Sequence, residues 1–124
     1  MTDEKAIRQY RSTERYRDLI LNSKIPEIYA RDPGSLAKYR AILQRGIDKT
    51  EAELKQAEQA IERLPKKIWR DVLTYRFILG LSGQDTADAL AYCYTAIMRF
   101  QQAAFKYLET GEAPRQPGRP PEGA

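Results

Sequence analysis

From Leu36 onward, apolar and small residues recur at steps of three and four: Leu36, Tyr39, Leu43, Ile47, Thr50, Leu54, Ala57, Ile61 and Leu64. That spacing lines them up along one side of a helix. From Leu43 the steps alternate four and three, the rhythm of a helix that packs lengthwise against another along a narrow seam. Gly46 and Thr50 weaken that seam, and fewer than four heptads are sustained. An antiparallel hairpin within one chain and a coiled-coil contact between two chains both fit it.

The partner within the chain is the stretch from residue 3 to 22, where Ile7, Tyr10, Tyr16, Leu19 and Ile20 are spaced among arginines with no proline or glycine. This predicts a single helix. Pro26 and the run Asp32-Pro33-Gly34-Ser35 interrupt any regular pattern, because proline restricts its predecessor and Asp, Gly and Ser favour turns. They predict a connector.

After Leu64 the rhythm restarts. Pro65 closes the long helix or opens the next, being tolerated only in a first turn. Ile68, Trp69, Val72, Leu73, Phe77 and Leu81 then form an apolar face that Gly80 is placed to end. Ser82 is set to cap the following helix, with Asp85 at the capping-box position. Ala87 and Leu90 face inward on it, Ala91-Tyr92-Cys93 makes a turn, and Ile97, Phe100, Ala104 and Leu108 give the last helix its stripe. Three short helices in succession predict a helix-turn-helix unit.

From Gly111 onward, four prolines and three glycines with almost no apolar bulk predict a disordered tail, in which Glu112 and Glu122 balance Arg115 and Arg119. The expected organisation is therefore all-α. It comprises an N-terminal helical hairpin or coiled-coil segment over 1–62, a trihelical helix-turn-helix over 63–110, and a tail over 111–124.

Composition narrows the chemistry. The chain has 124 residues, 42% hydrophobic and 31% charged, enough for one globular core. There is one cysteine, Cys93, and no histidine. Disulfide frameworks, ordinary zinc sites and histidine acid-base chemistry are excluded, and a non-enzyme without metal or cofactor is expected. Cys93 reads as a small, semi-buried turn residue. No charged-then-apolar leader opens the chain and no apolar run approaches membrane length, so a cytoplasmic protein is expected.

The net charge of +4 and pI near 9.2 suit a polyanionic partner without demanding one. The long helix is locally acidic, with Asp48, Glu51, Glu53, Glu58 and Glu62 against Lys49 and Lys55, and is expected to face away from phosphate. Positive charge gathers just after it, on Arg63, Lys66, Lys67, Arg70 and Arg76. These are the candidate phosphate contacts.

The string Leu64-Pro65, Arg70-Asp71-Val72-Leu73, Arg76-Phe77, Gly80-Leu81-Ser82, Ala87, Leu90 and Ile97 resembles region four of bacterial sigma factors. It is similar above all to the sigma-like domains of phage transcriptional regulators of the ArpU and RinA groups. The resemblance spans residues 61 to 108 and implies a helix-turn-helix whose last helix enters the DNA major groove, with no catalytic activity. By position it implies that Tyr94, Thr95, Arg99 and Gln102 read bases, and that Gln84 holds a phosphate, with Lys106 a further cation on the last helix. Arg suits guanine edges, Gln adenine, and Thr or an aromatic ring the thymine methyl.

Three residues depart from that pattern. Ala91 stands where the turn has glycine, Cys93 where a serine caps the recognition helix, and Thr86 where isoleucine or valine is usual. A left-handed turn costs a non-glycine residue roughly 1 kcal/mol, so a remodelled turn is the expectation at Ala91.

The expected function is a sequence-specific transcriptional regulator of a phage or prophage, acting in the bacterial cytoplasm on double-stranded DNA. RNA polymerase or a second copy of the chain would be its protein partner. One alternative is a phage small terminase subunit, which also joins a helix-turn-helix to oligomerising helices. Another is a protein-interaction module without DNA binding, docking through Tyr94, Met98 and Tyr107.

Overall fold

A computed structural model describes residues 1–111. The expected disordered tail lies, apart from Gly111, outside these residues. The described chain is all-α: seven α-helices and one π-helical turn, with no strand. No helix among the described residues is long and apolar enough to cross a membrane.

The N-terminal stretch forms two helices rather than one, α1 (Asp3–Arg8) and α2 (Tyr10–Leu21), which meet at Gln9 with φ −96° and ψ 4°. Ile7 is fully buried in the core, and Tyr10, three residues on and on the same side, donates from its hydroxyl to Glu58 at 2.6 Å. Thr2 caps α1, accepting from the Lys5 N–H.

The expected connector contains a further turn of helix, α3 (Glu27–Ala30), and ends earlier than the turn residues imply. The long helix α4 runs from Pro33 to Glu62. Asp32 is its N-cap, accepting from Gly34 N–H at 3.1 Å and from Ser35 Oγ at 2.9 Å, and Pro33 occupies the first position, where its missing N–H is harmless. The same four residues that read as a turn thus make a helix start.

α4 returns along α1 and α2 as an antiparallel hairpin. At its C-terminal end Arg63 pairs with Asp3 at 2.6 Å, and Gln56 donates to the Met1 carbonyl at 2.7 Å. At the other end the Ile20 side chain lies over Gly46, 3.0 Å from where a Cβ would sit. The weak point of the seam is therefore filled from across it.

α5 (Lys67–Leu73) passes directly into the π-helical turn, Thr74–Ile78, in which the Leu79 N–H donates to the Thr74 carbonyl at 2.9 Å. Gly80 ends the element at φ 76°. α6 (Gly83–Leu90) starts at the expected cap, the Asp85 N–H donating to Ser82 Oγ at 3.0 Å. α7 (Tyr94–Thr110) completes the unit.

The main core crosses the expected division at residue 62. Ile7, Leu54, Ala57 and Ile61 from the hairpin are buried together with Leu64, Trp69, Leu73 and Phe105. A smaller cluster of Val72, Ala87 and Ile97 joins α5, α6 and α7. Arg8 binds the two halves further, its guanidinium lying 4.6 Å from the Phe105 ring centre and 5.6 Å from that of Phe77.

Candidate nucleic-acid interface

The turn between α6 and α7 is not remodelled. Ala91 adopts the left-handed conformation outright, φ 60° and ψ 42°, and the Tyr92 N–H closes back on the Ala87 carbonyl at 3.0 Å. Among the described residues it is the only non-glycine with positive φ. The helix pair below it holds the strain: Ala87 and Ile97 are fully buried, and Leu90 packs against them from the α6 side.

Thr86 is also fully buried, where a hydroxyl needs a partner. It finds one locally by donating to the Ser82 carbonyl at 2.9 Å, which lets threonine stand in for a β-branched hydrocarbon. Cys93 precedes α7 at the N-cap position. It makes no side-chain cap and is exposed, not semi-buried as the sequence implies.

Gly83 sets the start of α7 against α6. A Cβ there would meet Tyr94 Cε2 at 2.6 Å and Met98 Cε at 3.0 Å, so both side chains close onto the bare backbone of α6. Tyr94 nonetheless keeps half its surface exposed. Gln84, the next residue, is exposed beside this end of α7 and donates its amide to Asp88 at 3.1 Å. The carboxylate at that point opposes a phosphate.

Thr95, Arg99, Gln102 and Lys106 are all exposed, and steps of four, three and four place them in one row along α7. The only acid on that helix, Glu109, comes after the row ends. The opposite side is buried through Ile97, Ala104 and Phe105. Tyr107 belongs to that inner side: its ring sits 6.0 Å from that of Trp69. The apolar face of Tyr94, Met98 and Tyr107 read from the sequence is therefore not one surface, since thirteen residues at about 100° each carry Tyr107 round to the far side from Tyr94.

The upstream cations are placed differently from the sequence reading. Arg63 is paired with Asp3, and Arg70 donates to the Leu64 carbonyl at 2.7 Å. Arg76 turns inward from the π-helical turn, donating to Gln101 Oε1 at 2.6 Å, with its Nε buried and unbonded. Lys66 lies over the Trp69 ring at 5.1 Å, and Lys67 is exposed. Because Trp69 meets Tyr107, these lysines sit toward the C-terminal end of α7, roughly 20 Å from Tyr94 at about 1.5 Å per residue. The free positive charge nearest the helix face is thus Arg99 and Lys106, extended at one end by Lys66 and Lys67.

Sequence reasoning missed the role of Arg76 and Gln101 beneath α7. Gln101 is a polar residue on the buried stripe, and an arginine three residues past the apolar face of α5 was the only available signal of its partner. No family model, no curated protein and no solved structure matches the chain.

Proposed function

We propose that the chain is a sequence-specific, double-stranded DNA-binding transcriptional regulator of phage or prophage origin, with α7 as the helix that enters the major groove. The observation that carries this reading is the outward row Thr95, Arg99, Gln102 and Lys106, free of acids and presented by a tight left-handed turn after α6. A groove about 12 Å wide admits one helix, and that row holds the residue types that read guanine and adenine edges. Tyr94 and Gln84 flank the entering end. Lys66, Lys67 and Lys106 serve the phosphates, while Arg63, Arg70 and Arg76 act by holding the fold in place.

Fluorescence anisotropy with labelled duplexes tests this. With about four cations engaged, the logarithm of affinity should fall with the logarithm of salt at a slope of roughly −3 to −4. Arg99→Ala should cost about 1–3 kcal/mol on the preferred site, and Lys106→Ala should weaken all duplexes alike and flatten the slope by about one. Absence of binding at low salt rules the reading out. Light scattering separates it from a packaging subunit, which would assemble as a ring of many copies.

A further inference from the structure

We infer that Arg76 is a positioning residue for base reading: through its bond to Gln101 it fixes the rotation of α7 about its own axis, and with it the direction of Arg99 and Gln102, a role that rests on the reading of α7 given above. Along its own segment Arg76 comes seven residues after Trp69, four after Val72 and three after Leu73, all three of them buried. That spacing continues an apolar stripe, where an apolar side chain is expected. A guanidinium stands there instead. It is partly buried, its Nε is shielded and unbonded, and among the described residues no carboxylate pairs with it.

Its contacts are on α7. Arg76 Nη1 donates to Gln101 Oε1 at 2.6 Å and lies 4.0 Å from Met98 Sδ, one turn earlier on the same helix. Gln101 is itself buried, at 8% exposure, on the inner side of α7 with Ile97 and Ala104. Met98 closes on the bare backbone of Gly83, its Cε 3.0 Å from where a Cβ would sit. One guanidinium thus reaches two successive turns of α7 and, through Met98, the start of α6. Arg99 directly follows the first contact and Gln102 the second. The π-helical turn holds Arg76 as the middle of its five residues, and Arg11 of α2 pins the far end by donating to the Leu79 carbonyl at 3.0 Å. Turns of this kind recur at functional sites.

What the pair adds is direction more than stability. Apolar burial is non-directional, so contacts such as that of Ile97 with Ala87 do not by themselves fix the rotation of a helix, whereas a hydrogen bond weakens steeply as its angle is lost. Turning α7 by about 20° would carry a side chain ~6 Å from the axis through about 2 Å, against a spread of roughly 0.5 Å in hydrogen-bond length. Base contacts from Arg99 and Gln102 would not survive that turn. Replacing both partners of a buried hydrogen bond by apolar groups of like shape is, by contrast, nearly neutral for folding or stabilising.

The test replaces the pair in the full chain, by Arg76→Met together with Gln101→Leu. Denaturant unfolding should show stability equal to or above that of the intact chain. The ratio of affinity for a selected duplex to affinity for a scrambled one should fall about tenfold or more, with the scrambled duplex bound within about twofold of its original strength. Gln101→Glu, which gives the guanidinium a charged acceptor at the same place, should keep the ratio. Without DNA, residual dipolar couplings of the backbone amides should show α7 turned about its axis relative to α4 in the double variant. An unchanged ratio overturns the proposal, as do couplings that leave α7 where it was. So does a double variant that unfolds or loses stability, since the pair would then serve the fold alone. An intact chain that binds no duplex defeats the reading of α7 instead, and the couplings then decide whether Arg76 sets its rotation.

Discussion

The two halves of α4 are built from one continuous stripe but live in different surroundings. From Thr50 to Ile61 five of its residues are buried, because α1, α5 and α7 close over that half. From Pro33 to Lys49 none is buried, because only α2 and the short α3 lie alongside. The same spacing of apolar residues thus anchors a core at one end and leaves a half-covered arm at the other. A periodic stripe says which side of a helix meets a neighbour. How deeply it is buried depends on whether a third element completes the layer.

The sharpest way to break this comparison is to remove equivalent side chains from each half. Leu54→Ala, in the buried base half of α4, should lower stability by about 2–5 kcal/mol in denaturant unfolding. Leu43→Ala, on the half-buried arm, should cost no more than about 1.5 kcal/mol. Equal losses would mean the arm is as integral to the core as the base.

A second test uses pH at the base half. Burial, then the hydrogen bond to Glu58 and its charge, push the Tyr10 phenol up to about 12 from an ordinary value of 10.0. Folding therefore opposes loss of the phenolic proton. The stabilisation is complete below pH 10 and disappears as pH rises through about 12. Tyr10→Phe should remove that alkaline loss of stability while costing about 1 kcal/mol at neutral pH. An unchanged alkaline profile would place the titration elsewhere.

The smallest effect is at the turn before α7. Ala91→Gly should raise stability by about 0.5–1 kcal/mol, since glycine relieves the left-handed strain and gives back part of it as unfolded-state entropy. A destabilised variant would show that the Ala91 methyl group contributes packing that outweighs its strain.

Much of this architecture is legible in the residue pattern. The α4 stripe, the Gly80 stop, the Ser82 cap and the inward Ala87, Ile97 and Ala104 all follow from spacing and local chemistry. Features decided by distant partners are not. The bend at Gln9 divides a stretch whose spacing reads as one helix, and nothing in residues 3 to 22 marks it. Asp32-Pro33-Gly34-Ser35 is equally good as a turn and as a helix start, and only the chain that follows decides. The basic run from Arg63 to Arg76 has the composition of a phosphate-binding patch, yet Asp3, the Leu64 carbonyl and Gln101 take up its three arginines. Within α7 the outward row is legible, because a 17-residue helix with one buried stripe leaves its opposite side defined.

The most direct test of the account is selection of bound sequences from a pool of randomised duplexes, carried out in parallel with the intact chain and with Arg99→Ala and Gln102→Ala. The account predicts one enriched motif for the intact chain, with preference relaxed at a single different position in each variant. Recovery of no motif, or of the same motif undiminished by both substitutions, would contradict the assignment of α7 as the reading helix.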